Sequence, residues 1–243
     1  MSDVFWVSAF LDTDEERAPA VERFWSGVTG SLLSSRRGRR DEFVTLLPPD
    51  GDAFLKAQTV GQSPPGGLHL DLHTRDTNGL AARAEQLGAS ASYNDQGYVV
   101  LGSPGGMTFC IVSHAAAHRP VPVPWPGGRS LVDQVCLDIP PSRFDAELAF
   151  WRDLTGWQQV KAADDSEFAR LERGDGLPLQ LLLQRLDDEQ SVVTAHLDLA
   201  CDDRDAEVAR HRDLGASVVR RTEGWTTLRD PSGRAYCVTG RPL

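Results

Sequence analysis

An internal repeat constrains the fold of this chain more than any other feature of its sequence. Asp12 corresponds to Asp138 at an offset of 126 residues, and the segment LHLDL at 68–72 corresponds to AHLDL at 195–199 at an offset of 127. The two halves of the chain can therefore be aligned over most of their length, with the offset changing only once, by one residue. Such self-similarity indicates a tandem duplication. Further pairs in this register are His69 with His196, Asp71 with Asp198, Tyr98 with Trp225, and Cys110 with Cys237.

A proline-rich segment separates the two copies. Residues 114–130 read HAAAHRPVPVPWPGGRS. Proline removes amide donors and favours extended geometry, so we predict a connector that is neither strand nor helix, with Trp125 docked on a domain surface. The predicted organisation is a domain at 1–113, a linker at 114–129 and a second domain at 130–243.

Each copy is predicted to contain the order strand, helix and three strands, twice. Ser142 and Asp145 indicate a capping box at the start of one helix, and Gly156 stands where a helix C-cap glycine is expected. His211 lies between two arginines in a later helix and is expected at the surface. The elements predicted for the second copy are strand 131–139, helix 142–154, strands 157–161, 166–172, 178–186 and 192–200, helix 203–214, and strands 216–220, 225–229 and 234–239.

Composition excludes several classes of function. The formal net charge is −10 and the isoelectric point is near 5.0, which argues against a nucleic-acid binder with a broad basic face. The apolar runs are too short to cross a membrane. The start of the sequence lacks the pattern of a secretory signal, and the four cysteines form no CxxC pair. We therefore expect a cytoplasmic protein with no nucleic-acid or membrane partner.

Three motifs resemble the vicinal oxygen chelate superfamily, which includes glyoxalase I, bleomycin resistance proteins and extradiol dioxygenases. They are FWSGVTG at 24–30, FWRDLTGW at 150–157 and DPSGRAYCV at 230–238. The resemblance implies an α+β fold of two tandem domains. It also implies that each domain pairs two βαβββ modules into a half-open barrel around a cavity.

The resemblance also implies where a metal would bind. Metal-dependent members hold a divalent ion with side chains on the first strand of each module and on the last strand of the second. Where the family places a carboxylate on the last strand, both copies have cysteine, so we expect no cofactor. The alternative is a divalent metal such as zinc in the second copy. The projected positions are Ser8, His69 and Cys110 in the first copy and Gln134, His196 and Cys237 in the second.

The HLDL segments provide the strongest candidates for chemistry. Alternation along a strand sends the histidine and the aspartate to one face and the leucines to the other. We propose His196 and Asp198 as catalytic residues, and His69 and Asp71 as ligand-binding residues. The alternative is that these side chains only hydrogen-bond neighbouring strands.

Other side chains are candidates for a cavity wall. The aromatic residues Tyr98 and Trp225 and the amides Gln58 and Gln184 are expected to line the cavity, with core packing of the aromatic residues as the alternative. The run RRGRR at 36–40 is interpreted as a solvated turn, with recognition of an anion or partner as the alternative. The complete set of ligand-binding candidates is His69, Asp71, Tyr98, Gln134, Gln184, Trp225 and Cys237.

We favour the first of two readings of the function and keep the second as the alternative. The first is a protein that binds a small molecule in a metal-free cavity, in the manner of bleomycin resistance proteins. The second is a lyase, isomerase or dioxygenase that uses the C-terminal domain, because Ser8 makes the first copy the poorer metal site. The sequence does not decide whether the protein is an enzyme. Its expected partner is a small-molecule ligand, and its expected state is a monomer or a homodimer.

Overall fold

The duplicated sequence folds into two open sheets with the same strand order. The computed structural model describes residues 4–61, 67–95, 97–160 and 166–243. The elements of the first copy are β1 (Val4–Thr13), α1 (Ala18–Thr29), β2 (Leu32–Leu33), β3 (Phe43–Leu47), β4 (Leu55–Thr59), β5 (Leu68–Thr74), α2 (Thr77–Gln86), β6 (Ser90–Asp95), β7 (Tyr98–Gly102) and β8 (Thr108–Val112).

The second copy repeats this order after a short additional strand. Residue 161, the last of a predicted strand, lies outside the described residues. The elements are β9 (Val123–Trp125), β10 (Gly128–Ile139), a 3-10 turn (Pro141–Arg143), α3 (Phe144–Thr155), β11 (Gln158–Val160), β12 (Phe168–Glu172), β13 (Gln180–Arg185), β14 (Thr194–Cys201), α4 (Arg204–Asp213), β15 (Ser217–Arg221), β16 (Trp225–Arg229) and β17 (Ala235–Thr239).

The strand order confirms the predicted fold class. The first sheet has the order β2-β3-β4-β1-β5-β8-β7-β6, and the second has the order β11-β12-β13-β10-β14-β17-β16-β15. Each sheet joins two βαβββ modules side by side. Among the described strands, the two edge strands of a sheet do not pair with each other, so neither sheet closes into a barrel. The fold is α+β with two tandem domains, as predicted.

The helices form where the sequence predicts them. Val21, Trp25 and Val28 lie on one buried face of α1, and α1 ends at Gly30, which has a φ of 65°. α3 ends in the same way at Gly156, which has a φ of 68°. This left-handed conformation suits glycine because no Cβ clashes with the backbone.

By its internal contacts the chain divides into two compact units. Unit 1 contains residues 1–9, 68–117 and 135–195. Unit 2 contains residues 10–67, 118–134 and 196–243. Each unit therefore takes segments from both copies of the repeat.

Equivalent tryptophans lie in the cores of the two units. In unit 2, the ring of Trp25 lies 5.1 Å from that of Tyr236, and its Nε1 donates to Oδ2 of Asp230 at 3.0 Å. In unit 1, the ring of Trp151 lies 5.2 Å from that of Phe109, and its Nε1 donates to Oε2 of Glu147 at 2.8 Å. Each indole N–H is paired with a carboxylate, as a buried polar group requires.

The prediction that the linker contains no strand is wrong. β9 pairs antiparallel with the start of β10, so that Trp125 faces Gly128. Pro124 lacks an N–H but lies on a strand off the main path of the sheet, where proline is tolerated. Trp125 is docked as predicted: its Nε1 donates to Ser130 Oγ at 2.9 Å, and the Arg210 guanidinium lies 3.8 Å from its ring centroid.

Two local predictions on the helices are also wrong. Ser142 does not cap α3, because its backbone N and its Oγ both donate to the carboxylate of Glu189, at 2.9 and 2.8 Å. His211 is fully buried and not at the surface. Its Nε2 lies 3.0 Å from Oε1 of Glu207, and its Nδ1 lies 3.1 Å from the hydroxyl of Tyr236.

Within the described residues, none of the helices combines the length and the apolar character needed to span a membrane.

Candidate functional site

Two parallel strands of unit 2 bring three donor side chains together. β14 pairs with β17 in a register that places Asp198 opposite Cys237. Side chains alternate along a strand, so His196 shares the face of Asp198 while Leu197 and Leu199 point into the core. We call the group formed by His196, Asp198 and Cys237 the C-terminal centre.

The distances within the C-terminal centre are short. Nε2 of His196 lies 3.3 Å from Oδ1 of Asp198 and 3.6 Å from Sγ of Cys237. The side chain of His196 is 12% exposed and that of Asp198 is 5% exposed. The imidazole nitrogen of His196 therefore lies near both a carboxylate oxygen and a sulfur, at a nearly buried position.

Gln134 orients the carboxylate of the C-terminal centre. Its Nε2 donates to Oδ2 of Asp198 at 2.5 Å, and both residues are buried. Among the described residues no donor makes a hydrogen bond to the other oxygen, Oδ1, although this atom is also buried. Nε2 of His196 is near Oδ1 but not in hydrogen-bonding geometry. A buried carboxylate oxygen without such a bond is costly unless something else binds it.

The hydroxyl of Thr227 lies next to the C-terminal centre, on the strand beyond Cys237. Thr227 lies opposite Cys237 in the β16–β17 register, and its Oγ1 lies 3.5 Å from Sγ of that cysteine. A second cysteine of unit 2, Cys201, is not part of the centre. Its thiol donates to the carbonyl oxygen of Thr239 at 3.3 Å, and burial raises its pKa to about 12.

Unit 1 contains an equivalent group, which we call the N-terminal centre. One donor atom each from His69, Asp71 and Cys110 lies within 4.8 Å of the other two. The parallel β5–β8 register places Asp71 opposite Cys110, just as Asp198 lies opposite Cys237. The residue types at these equivalent positions are the same in both copies, although Nε2 of His69 is farther from Oδ1 of Asp71, at 4.0 Å.

The first strands of the two copies make different side-chain contacts near their centres. In unit 1, Ser8 of β1 lies 2.9 Å from Nε2 of His73, through its Oγ. Nδ1 of His73 lies 2.8 Å from the carbonyl oxygen of His114 and therefore donates to it. The repeat places Gln134 at the position of Ser8 and Ala200 at the position of His73. In the second copy, the side chain at this position, Gln134, donates to the aspartate of its centre.

The remaining predicted residues lie elsewhere on the sheets. Tyr98 is exposed on β7 and its ring lies 5.4 Å from that of Tyr93. Trp225 is half-buried at the start of β16. Gln184 lies on β13 in unit 1, with its Oε1 4.0 Å from Sγ of Cys136. Ligand binding by these side chains remains a prediction.

Cys110, one of the positions projected for a metal in the first copy, lies in the N-terminal centre. Thr227, beside Cys237, was not among the candidates. Thr227 is one position in a run that alternates between half-buried and buried residues, and this alternation marks the face it shares with Cys237.

A large groove in unit 1 does not contain the predicted site residues. Its volume is about 810 Å³, and it lies between the start of α2 and the end of α3. Charged and aromatic side chains border it, among them Asp76, Arg83, Arg152 and Trp157.

A family model matches both copies of the repeat. The model of the glyoxalase-like domain matches twice, at residues 8–112 and 134–239. The chain belongs to the glyoxalase-like domain family. No curated protein matches the chain as a relative.

Solved structures share the fold of this family member at low sequence identity. The Mn(II)-bound glyoxalase from Novosphingobium aromaticivorans has a TM-score of 0.66 and 16% identity, over 98% of this chain and 83% of that chain. The 2,3-dioxygenase LapB from Pseudomonas sp. KL28 has a TM-score of 0.64 and 13% identity, over 98% and 93%.

A larger protein shares the fold over half of its length. It is a fusion of a xylose isomerase-like TIM barrel with a 4-hydroxyphenylpyruvate dioxygenase. The TM-score is 0.61 at 14% identity, over 100% of this chain and 50% of that chain. These likenesses show the fold alone.

The expectation that this family member needs no cofactor is wrong. A glyoxalase with this fold is bound to Mn(II), and the chain contains clusters of donor atoms with the spacing of metal ligands. The expectation assumed that a carboxylate must come from the last strand. The structure instead has a carboxylate on the neighbouring strand, because the parallel registers place Asp71 opposite Cys110 and Asp198 opposite Cys237.

Two distances from Nε2 of His196 correspond to those between neighbouring donors around a tetrahedral ion. Zinc binds nitrogen and oxygen at about 2.0–2.2 Å and sulfur at about 2.3 Å, so neighbouring donors in a tetrahedral shell lie about 3.3–3.6 Å apart. The separations of 3.3 Å and 3.6 Å from His196 Nε2 match these edges. The buried Oδ1 of Asp198, which makes no hydrogen bond among the described residues, is the atom that a cation would satisfy.

Proposed function

We propose that the C-terminal centre binds a divalent cation of the zinc type. We further propose that it catalyses a lyase or isomerase reaction on a small carbonyl compound. His196 Nε2, Asp198 Oδ1 and Cys237 Sγ would hold the ion. The observation that carries this proposal is the buried Oδ1 of Asp198, which lies 3.3 Å from the imidazole and makes no hydrogen bond among the described residues.

The chemistry of the donors favours zinc over iron. Non-haem iron oxygenases use two histidines and one carboxylate, whereas the C-terminal centre offers one histidine, one carboxylate and one thiol. Nitrogen and thiolate ligands are typical of zinc. This donor set supports a lyase or isomerase better than the dioxygenase alternative.

Three protein donors leave a fourth tetrahedral position for substrate, as in catalytic zinc sites. A bound ion would act as a Lewis acid that polarises a carbonyl oxygen. Gln134 holds Oδ2 of Asp198, so that the carboxylate presents Oδ1 in one fixed direction. Oδ1 is thus the oxygen that this arrangement directs at the ion.

The low exposure of the centre supports this role. Leu197, Leu199 and Tyr236 are fully buried behind it and exclude water from one side. Electrostatic interactions are stronger where water is excluded, so a cation or a developing negative charge would be stabilised more than at the surface.

A cobalt substitution tests metal binding directly. The full chain with Cys110→Ser, which removes the sulfur of the N-terminal centre, is loaded with Co(II), and the sulfur-to-cobalt charge-transfer absorption reports ligation by a cysteine. We expect one ion per chain at this centre and loss of the band in Cys237→Ser. Cys201→Ser is the matched control and keeps the band, because its thiol lies outside the centre. A band that survives in Cys237→Ser contradicts the assigned sulfur ligand.

An isotope-exchange screen tests the reaction. Small 2-oxoaldehyde–thiol adducts and 2-hydroxyketones are incubated with the zinc-loaded protein in deuterium oxide. Mass spectrometry then detects exchange at the carbon next to the carbonyl. Exchange that is lost in both His196→Ala and Asp198→Asn supports the proposal. Equal exchange in wild type and both variants would overturn it.

A further inference from the structure

The register of four strands in unit 2 forms a row of side chains that ends on an arginine. Arg220 of β15 lies opposite Thr227 of β16, which lies opposite Cys237 of β17, which lies opposite Asp198 of β14. Side chains at directly paired positions point to the same face of a sheet. Arg220 therefore shares the face of the C-terminal centre, two strands from Cys237 and about 10 Å from it along the sheet.

The adjacent row ends on a second arginine. Arg229 of β16 lies opposite Ala235 of β17, two residues before Cys237, and opposite Ser217 of β15. Along β16, Thr226 and Leu228 are fully buried whereas Trp225, Thr227 and Arg229 are partly or fully exposed. This alternation shows that Arg229 and Thr227 lie on the open face and Thr226 and Leu228 on the core face.

Neither guanidinium has an acidic partner within the part of the chain that the structure describes. Arg229 donates from one terminal nitrogen, NH1, to the carbonyl oxygen of Gly233 at 2.6 Å, which leaves its charge uncompensated. Arg220 is exposed and has no ion pair there. In contrast, Arg221 on the same strand lies opposite Thr226, and its NH1 lies 2.8 Å from Oδ1 of Asp205. Two uncompensated cations on one face are notable in a chain of net charge −10.

The first copy does not have this feature. In unit 1 the corresponding row runs from Tyr93 through Val100 and Cys110 to Asp71. The position of Arg229 is taken by Gly102. The two copies therefore keep the same centre but differ at the outer strands, where the second copy alone presents positive charge.

We propose that Arg220 and Arg229 form a subsite for the anionic end of the substrate of the C-terminal centre. The substrate class is a small molecule with a carbonyl group at one end and a carboxylate or phosphate group at the other. Arginine suits this role, since its planar fork binds either group with two parallel hydrogen bonds. This inference rests on the proposed function for the position of the reacting end.

The two arginines would orient the substrate. Their positive charge attracts the anionic end two strands away from the centre, which leaves the carbonyl group towards Cys237 and Asp198.

Paired hydroxamates test the subsite. Pentanohydroxamate chelates zinc through one end, and glutaric acid monohydroxamate adds a carboxylate at the other end. With the zinc-loaded full chain, calorimetry should show that the carboxylate improves binding by about tenfold. Arg220→Gln and Arg229→Gln should each reduce this advantage several-fold, and the double variant should abolish it. Pentanohydroxamate should bind all variants equally.

Arg221→Gln is the matched control, because it removes the same charge from the same strand on the opposite face. An unchanged carboxylate advantage in the double variant would overturn the subsite and leave the metal centre intact. If neither hydroxamate binds, the proposed function fails, and the subsite is then judged with inorganic phosphate on the metal-free protein. Phosphate binding that is weaker in the double variant than in Arg221→Gln supports the subsite, and equal binding contradicts it.

Discussion

The amide of Gln134 and the carboxylate of Asp198 are joined by a hydrogen bond of 2.5 Å inside unit 2. Gln134 lies on β10 and Asp198 on β14, which are neighbours in the second sheet. The bond ties Oδ2, so the rotation of the carboxylate is restricted and Oδ1 stays beside His196. Partners of this kind commonly raise metal affinity because they orient the ligand before the ion arrives.

We therefore predict that Gln134→Leu weakens zinc binding by about 10- to 100-fold. The leucine fills similar space but cannot hold the carboxylate. Competition with a chromophoric chelator measures the affinity. Gln158→Leu, on the exposed strand β11, serves as the control and should bind zinc as the wild type does. Equal affinities for Gln134→Leu and wild type would show that the orientation of Asp198 does not matter.

Glu147 should make stability depend on pH. Burial raises the pKa of this carboxyl group, although the backbone N–H of Gly105 and the indole of Trp151 donate to it and oppose the shift. A raised pKa favours the folded state below the ordinary value of 4.5, and this contribution is lost as the pH rises through the raised value. Glu147→Gln carries no charge at any pH. Its free energy of unfolding, relative to wild type, should therefore rise between pH 4 and pH 8.

Urea unfolding at several pH values measures this difference. Glu172→Gln, at an exposed position on β12, should show a flat difference over the same range. A flat difference for Glu147→Gln as well would mean that the carboxyl group does not titrate differently after folding.

The stability that Glu207 contributes should depend on pH in the opposite direction. Burial alone would raise its pKa, but hydrogen bonds from His211 and Arg210 outweigh it and lower the pKa to about 2. The stability it contributes is present above the ordinary value of 4.5 and is lost as the pH falls towards 2. Glu207→Gln should cost about 3 kcal/mol at pH 7, because it leaves buried partners unpaired, and clearly less at pH 3.

Chemical unfolding at pH 7 and pH 3 provides the test. Glu223→Gln changes an exposed residue next to Gly224 and should stay within about 0.5 kcal/mol of wild type at both pH values. A cost for Glu207→Gln that is the same at pH 3 and pH 7 would contradict the ion-pair explanation.

Asp230→Ala should be among the most destabilising single changes in unit 2. The carboxylate is fully buried, and it accepts hydrogen bonds from Trp25 and from the guanidinium of Arg234, which lies 3.0 Å away. Its removal leaves a buried arginine without its counter-ion, at a cost of about 3–5 kcal/mol. Asp145→Ala breaks an exposed ion pair with Arg185 and should cost less than about 1 kcal/mol. Thermal or urea unfolding of both variants compares the two, and equal costs would contradict the importance of burial.

The elements of the second copy could be predicted closely from the sequence, because their signals are local. The predicted strand 225–229 coincides with β16, and the predicted helix 203–214 contains α4. The periodicity of apolar residues and the turn residues between segments are sufficient for such predictions. The repeat also predicts that both copies have the same arrangement of modules, because two copies of one sequence pattern fold in the same way.

The composition of the centre could be predicted only in part. Alternation along β14 placed His196 and Asp198 on one face, as the sequence indicated. The parallel register with β17 determines which residue faces Asp198, and that register depends on contacts between segments far apart in the chain. The sequence alone therefore shows that Cys237 stands where a carboxylate was expected, but it does not show that Asp198 lies opposite this cysteine.

The burial of His211 could not be predicted for a similar reason. Its flanking arginines are typical of a surface helix. The residues that cover it include Phe24, with a ring centroid 6.3 Å away, and Tyr236. Phe24 belongs to the first copy and is distant in sequence, so no local pattern reports the contact.

The composition of unit 2 has a consequence for dissection of the gene. Its core joins Trp25, from the first copy, to Tyr236 and Asp230, from the second. A polypeptide cut between residues 113 and 130 would expose the indole of Trp25 in one fragment and leave the Asp230 carboxylate without that partner in the other. Each fragment should aggregate when expressed alone, and the two should recover solubility only when produced together. The covalent link thus keeps two interdependent halves at a high local concentration, so complementation between fragments, not isolated expression, is the way to study either half.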